Sequence, residues 1–442
     1  MKHCFSLRKQ GVFFCALLLM SLLSSCASMP TTSRNTSNST QTSNPESSSH
    51  SQGSTGNLSL VTSAVEYSIK GNANENGYYY VERGSGLAAN MRYIDFSSGQ
   101  DIFLSSKPEG NHYISEDESY ISSVAGSGVI FPVHESLFLV RTGAPSYANQ
   151  YGKEALSAIF KMELNGSNRQ LLYSGTGNEI ILSTIAADEN NLFFISCRTE
   201  TKNSITAENR YLVQMNTKTG ELQDLCQLTN SAWMIGAVNN TIVFHSVFVE
   251  NEDDDAPPVM THEISTYGFS TQELSVIQSW PNEERTIAAV SNEYLVTANT
   301  STKKLMVQEI ATGAVTATHS IDEYISKDNS EMFFADCRNS KFVFWDFEKE
   351  QLCAIDILTG AGSYISLKFM EPEKQENRPV EIYAETSSSF LVCYNKEIVA
   401  RKYPGADGTI EEIQGLQPSF ALIAKEDYWN SIPNYRPILF ND

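Results

Sequence analysis

The feature that most constrains this chain is a run of three apolar residues that recurs along it, each time flanked by polar turns. The runs are Tyr78-Tyr79-Tyr80, Leu137-Phe138-Leu139, Leu192-Phe193-Phe194, Ile242-Val243-Phe244, Tyr294-Leu295-Val296, Phe342-Val343-Phe344 and Phe390-Leu391-Val392. Their first residues are 59, 55, 50, 52, 48 and 48 positions apart. From residue 60 onward, short segments rich in Val, Ile, Phe, Tyr and Thr alternate with turn residues and almost no helical periodicity is present, which predicts an all-β chain. A period near 50 residues with about four strands in each unit is the signature of a β-propeller blade. The expected fold is therefore an all-β β-propeller of about seven four-stranded blades over residues 59–442.

Within a unit the apolar run is followed by an alternating strand that ends in a tight turn, usually on a glycine: Gly99, Gly166, Gly220, Gly313 and Gly360, with Gly408 in YPGADG as a looser copy. Glycine suits a hairpin turn because the turn needs positive φ. The distance from run to glycine is 21, 19, 18 and 18 residues in units one, five, six and seven, but 29 and 28 in units two and three; unit four has Gln272 in the glycine's place, at 30. Three consecutive units thus carry about ten extra residues between their second and third strands. Those residues are APSYANQYGKE, ETKNSITAEN and VENEDDDAPPVMT. In a propeller such connections emerge on the same face as the links between blades, near which Trp233 and Trp280 fall. Tyr147, Tyr151, Trp233 and Trp280 are accordingly expected to converge beside the acids Asp253, Asp254 and Asp255, an arrangement suited to a sugar or a cationic peptide.

Laid out in this way, residues 60 to 415 resemble bacterial surface or periplasmic propellers of the Tol-type and lipoprotein-linked kind. The likeness is one of layout, with neither a Trp-Asp signature nor a kelch double glycine. The tail SFALIAKEDYWNSIPNYRPI resembles the closing segment of some Firmicutes lipoproteins, and Phe420 to Ala424 are candidates to pair with the first blade and remove two exposed edges.

The amino end carries Lys2, Arg8 and Lys9 before the apolar stretch GVFFCALLLMSLL, the form of a secretory signal. It ends in Leu23-Ser24-Ser25-Cys26, which resembles the lipobox of bacterial lipoproteins. The resemblance implies that residues 1–25 are a signal peptide, that the Cys26 thiol carries a diacylglyceryl group, and that the chain is held to the membrane there, facing outside the cytoplasm. Two acyl chains are the usual minimum for stable anchoring. Residues 26–58 form a Ser/Thr-rich linker whose only charged residues are Arg34 and Glu46; it buries too little to offset its ordering entropy. A flexible coil of this length reaches roughly 30 Å.

The net charge is −21, and loss of Lys2, Arg8 and Lys9 takes it to −24, which argues against nucleic acid as partner. Cys197, Cys226, Cys337, Cys353 and Cys393 are odd in number, lack metal-ligand spacing and fall in or beside strands, so they read as small buried hydrophobes. There is no nucleophile elbow, phosphate-binding glycine loop or His-Glu-x-x-His. The acid run lacks the alternating carboxylates and glycine of a calcium loop, and no cofactor or metal is expected. These features point to a non-enzymatic binding or scaffolding module whose partner is a glycan, a peptide or an envelope protein. The alternatives are a subunit of an envelope complex and a carbohydrate-active propeller, since carboxylates from distant blades can meet over a channel without leaving a local trace.

Overall fold

The computed structural model of the protein describes residues 58–62, 71–84, 86–107, 109–202, 205–250, 259–282, 285–325, 333–346, 348–404 and 409–441. Cys26, the signal and linker up to residue 57, and Asp253 to Asp255 lie outside them.

Over these residues the chain is nearly all β. Each recurring unit is an antiparallel meander in sequence order. Four sheets hold one four-stranded meander apiece; a six-stranded sheet contains the first, and a nine-stranded sheet contains two. Every apolar run lies in the second strand of its meander: Gly77–Arg83, Ser136–Arg141, Asn191–Lys202, Thr241–Glu250, Tyr294–Asn299, Lys341–Asp346 and Ser389–Pro404. Side chains alternate between the two faces of a strand, so three consecutive apolar residues mean that both faces are covered. The packing shows by what. Phe342 and Phe344 join Val296, Ala298 and Val307 of the preceding sheet, whereas Val343 and Trp345 join Phe390, Val392 and Ala421 of the following one. Such clusters tie each sheet to the next along the chain. A last cluster brings Leu391, Cys393 and Phe420 of the final sheet onto Tyr78, Tyr80 and Ile94 of the first.

The turn glycines behave as their positions suggest. Gly99, Gly166, Gly220, Gly313 and Gly360 all have φ between 69° and 86°, and Gln272 adopts φ 57° in the same role. Gly360 is required twice over, because a Cβ there would stand 2.5 Å from Nδ1 of His319 on the neighbouring sheet.

Two expectations about the tail are corrected. Phe420 to Ala424 belong to Ile410–Ala424, the third strand of the last sheet, and pair with Ser389–Cys393 rather than with the first sheet. The strand that does reach the first sheet is Leu439–Phe440, which adds in parallel to Gln100–Phe103. Nor does Gly408 mark the turn between third and fourth strands of the last unit. It falls in the connection of a long hairpin, outside the described residues, and a short helix, Lys425–Trp429, precedes the fourth strand Arg436–Pro437. A further hairpin, Lys368–Glu371 with Glu376–Pro379, is inserted before the last sheet.

The five cysteines among the described residues are free thiols; Cys197, Cys353 and Cys393 are buried, Cys226 and Cys337 half-buried. Burial pushes the thiols of Cys197, Cys353 and Cys393 up to about 12, so they remain protonated at neutral pH. Among the described residues no helix is long and apolar enough to cross a membrane.

Candidate functional site

The two tryptophans singled out in the sequence end up in one sheet, at opposite ends of a row of rings. Its strands are Trp233–Asn239, Thr241–Glu250, Val259–Gly268 and Glu273–Pro281. Their register sets Trp233 opposite His245, and His262 opposite Trp280. His245 and His262 are diagonal neighbours on the middle pair of strands, since His262 lies opposite Val247. The ring centres of Trp233 and His245 are 4.3 Å apart, those of His245 and His262 5.2 Å, and His262 lies parallel to Trp280 at 5.7 Å.

Hydrogen bonding gives the row a direction. His262 Nε2–H donates to Asn282 Oδ1 (3.1 Å), which leaves Nδ1 as an acceptor for His245 Nε2–H (3.0 Å). Burial, then the neighbouring His262, pushes the His245 imidazole down to about 3, so it is neutral at physiological pH. The pair is not arranged as a metal chelate. With the ring centres 5.2 Å apart and the nitrogens 3.0 Å apart, the nitrogens lie close to the line between the rings and the His245 Nε2–H points straight at the lone pair of His262 Nδ1. A shared proton fits that geometry; a metal needs both lone pairs to converge on a third point. Among the described residues no three of His, Cys, Asp or Glu gather at metal-binding distance.

Exposure differs along the row. Trp233, His245 and His262 are half-buried, whereas Trp280 is 3% exposed and packs with Ile235, Val243 and Ile264 against Leu295 and Ile310 of the next sheet. Its Nε1–H is buried without a protein acceptor. The accessible groups are thus Trp233 at one end of the row and His262 with Asn282 near the other, beside the buried Trp280.

Tyr147 and Tyr151 sit in an insert on a different sheet, built from the single turns Pro145–Tyr147, Ala148–Tyr151 and Gly152–Ala155. Arg141 holds that insert in place, donating to Glu154 Oε2 (2.8 Å), Leu156 O (2.7 Å) and Lys153 O (2.9 Å). The two tyrosine rings meet at 6.4 Å and Tyr147 is 54% exposed; among the described residues neither ring touches Trp233 or Trp280. The acids Asp253, Asp254 and Asp255 fall in the connection 251–258, outside the described residues; the strands on either side are paired out to Glu250 opposite Val259.

The sequence reading missed the His245–His262 pair, because two histidines 17 residues apart have no ligand spacing; only the register of the hairpin between them brings them together. It also missed the longest projection. Ser389–Pro404 and Ile410–Ala424 stay paired as far as Pro404 opposite Ile410, with Ile398, Ile410 and Ile413 exposed.

Other polar clusters are satisfied internally. His112 Nδ1 is 3.1 Å from Asp117 Oδ2, but the Ser119 hydroxyl donates to that carboxylate (2.6 Å) instead of to the imidazole, which is not the order of a nucleophile and its base. The acids of first strands are matched with cations: Asp336 with Arg338 (2.7 Å), Glu381 with Lys396 (3.1 Å) and Glu385 with Lys425 (2.7 Å). Glu179 accepts from Tyr173 and Ser196 and lies 3.8 Å from Arg198.

No family model and no curated protein matches the sequence. Solved structures to which the chain is similar include the acylaminoacyl peptidase of Pyrococcus horikoshii, at 12% identity and TM-score 0.48 over 87% of this chain and 52% of that one. The chain therefore spans about half the length of that peptidase. The β-propeller domain of the Trilobed protease of Pyrococcus furiosus is similar at 12% identity and TM-score 0.46, over 85% of this chain and 98% of that domain. TolB of Acinetobacter baumannii is similar at 11% identity and TM-score 0.30, over 79% of each chain.

Proposed function

We propose that this protein is a lipoprotein anchored through Cys26 outside the cytoplasm, whose body is a propeller of about seven four-stranded blades acting as a non-enzymatic binding module. The ring is supported by the succession of apolar clusters that joins each sheet to the next and the last to the first. The observation that carries the binding role is the set of long connections between second and third strands. They run beyond the sheets and hold exposed apolar side chains, among them Tyr147, Val249, Val259, Ile398 and Ile410. Apolar groups repeatedly placed at the end of projecting hairpins are costly to leave in water and mark interaction surfaces. The pairing of first-strand acids with cations favours binding over glycoside cleavage, which needs one carboxyl held protonated and a second left free. The ligand would be a glycan, a peptide or an envelope protein that meets Tyr147, Tyr151, the Trp233 end of the ring row and the acids at 253 to 255.

Two measurements test this. Cys26→Ala should shift the protein from the membrane fraction to the medium or leave it unprocessed; normal fractionation of a cleaved form contradicts the anchor. Replacing Tyr147 and Trp233 together by alanine should weaken binding to a glycan or peptide identified on an array by at least about tenfold, the loss expected for two aromatic anchors. Unchanged affinity removes that face from the site, and hydrolysis of any arrayed glycan contradicts the non-enzymatic reading.

A further inference from the structure

The short strand Leu58–Leu60 lies between two meanders and is antiparallel to both neighbours. Ser59 is opposite Ala187, in the first strand of one, and opposite Val238, in the first strand of the other. Leu58 is 5% exposed and enters the cluster of Ala186, Phe193, Met234 and Phe244. Beyond the strand, Val61 N–H donates to Ile185 O (2.9 Å), Ile185 N–H donates to the Thr62 hydroxyl (2.8 Å), and the Asn72 amide donates to Val61 O. These bonds join edges that would otherwise be unpaired between two sheets.

Direction gives this strand its consequence. Leu58 is opposite Asn239, the last residue of its strand and the start of the tight turn into Thr241–Glu250. Leu60 is opposite Ala186 and Val61 bonds Ile185, so the chain advances away from the tight-turn end. The long hairpin of the same meander leaves from the other end: Trp233, at the start of the first strand, is opposite His245, and pairing continues to Glu250 and Val259. Six residues from Asn239 to Trp233 and five from His245 to Glu250 put about 35 Å between Leu58 and the hairpin's end, at about 3.3 Å per residue. Neighbouring meanders keep their tight turns together. Ser387 donates to Glu75 (3.1 Å) and Asn292 to Ser340 (3.3 Å), each bond joining the turn of one meander to that of another, and Lys161, near the end of the strand Ala158–Glu163, donates to Thr217 O (3.2 Å) in the turn of the next meander.

We infer that residues 58–62 fasten the amino-terminal tether to the tight-turn end of the propeller, so that the opposite end, with Tyr147, Val249, Val259, Ile398 and Ile410, is turned away from the membrane and toward a partner. The inference rests on the anchor at Cys26. A flexible coil of the linker's length has a root-mean-square reach of roughly 30 Å, so bringing the far end, about 35 Å beyond Leu58, to the bilayer would stretch the tether past its relaxed length.

The test uses the full-length lipidated protein on phospholipid vesicles, with a fluorescent side chain at Lys218, in a tight turn, or at Glu411, on the longest hairpin. Energy transfer to headgroup-labelled acceptor lipids is then measured. Transfer at least twofold more efficient from position 218 is expected. Equal or reversed efficiencies on vesicle-bound protein overturn the inference while leaving the anchor intact; a protein that does not float with the vesicles overturns the anchor reading. Fastening itself is read without lipid by hydrogen exchange, where the amides of Val61 and Ile185 should exchange at least 100-fold more slowly than unprotected amides. Exchange at the unprotected rate would overturn it.

Discussion

Gln272 stands where the matching turns of other units have glycine, and it takes φ 57° to do so. A non-glycine residue in that region costs about 1 kcal/mol or more, offset in part by glycine's greater freedom when unfolded. Gln272→Gly should therefore raise stability by up to about 1 kcal/mol, seen as a higher urea midpoint at unchanged slope. Gly360→Ala goes the other way, since it adds strain at φ 74° and meets His319, and a loss of about 2 kcal/mol or more is expected. His245 carries a prediction for pH. Its imidazole is held neutral down to about pH 3 by burial and by His262, against an ordinary value of 6.5. The unfolded chain thus binds a proton there that the folded chain refuses, and stability falls as pH drops from about 6.5 toward 3. The slope attributable to this residue approaches 1.4 kcal/mol per pH unit. Denaturant titrations of the wild type and of His245→Gln between pH 7 and 5 should diverge by that slope; parallel curves would show that the imidazole titrates freely in the fold. This pair was not legible from residue types alone, because the hydrogen bond belongs to a hairpin register that no local pattern reports.

At the level of elements, the second strands were legible and the outer ones much less so, for one reason. A second strand is covered on both faces by neighbouring sheets and must be apolar throughout, whereas an outermost strand such as Val315–Ser320 is mostly exposed and needs only to pair. The energetic contrast should follow. Phe344→Ala removes a fully buried ring and should cost about 3–5 kcal/mol, while Val315→Ala, more than half exposed, should stay within about 0.5 kcal/mol in the same urea assay. Comparable losses at the two sites would contradict the two-sided burial. Turn chemistry misled where composition was shared. YPGADG has the residues of a tight turn, and its position after the last apolar run matched the spacing of the regular units. It connects strands two and three, not three and four. The insert 368–379 stayed hidden because two four-residue strands with mixed polarity carry no repeat signal.

The tail reaches the first sheet, as expected of a closing segment, but through Leu439–Phe440 and not through Phe420 to Ala424. Leu439–Phe440 extends the first sheet, with Leu439 N–H donating to Gly99 O (2.8 Å) and Asn441 N–H to Asp101 O (2.9 Å). Phe440 lies between two guanidinium groups, Arg92 at 4.0 Å and Arg401 at 4.1 Å from its ring centre, and Phe103 covers the Arg92 guanidinium at 4.3 Å. Arg92 is fully buried, pairs with Asp101 (3.0 Å) and donates to Asn441 O (2.7 Å); Arg401, from the long hairpin of the last sheet, pairs with Glu82 of the first. The first sheet, the last hairpin and Leu439–Phe440 are thus held by one charged knot. Its worth lies less in the pairs themselves than in the cost of leaving a buried guanidinium short of partners. Removing residues 439–442 strips Arg92 of an acceptor and of one aromatic cover, and exposes the edge of Gln100–Phe103. The expected loss is about 3–5 kcal/mol, the range for breaking a buried charged contact. Because the joint lies between first and last sheets, exchange should quicken first in Gly77–Arg83 and Ser389–Pro404 and leave Tyr294–Asn299 unaffected. Hydrogen exchange followed by mass spectrometry reads this directly. Uniform loss of protection across all sheets would mean that the terminus contributes only to overall stability and does not close the first sheet against the last.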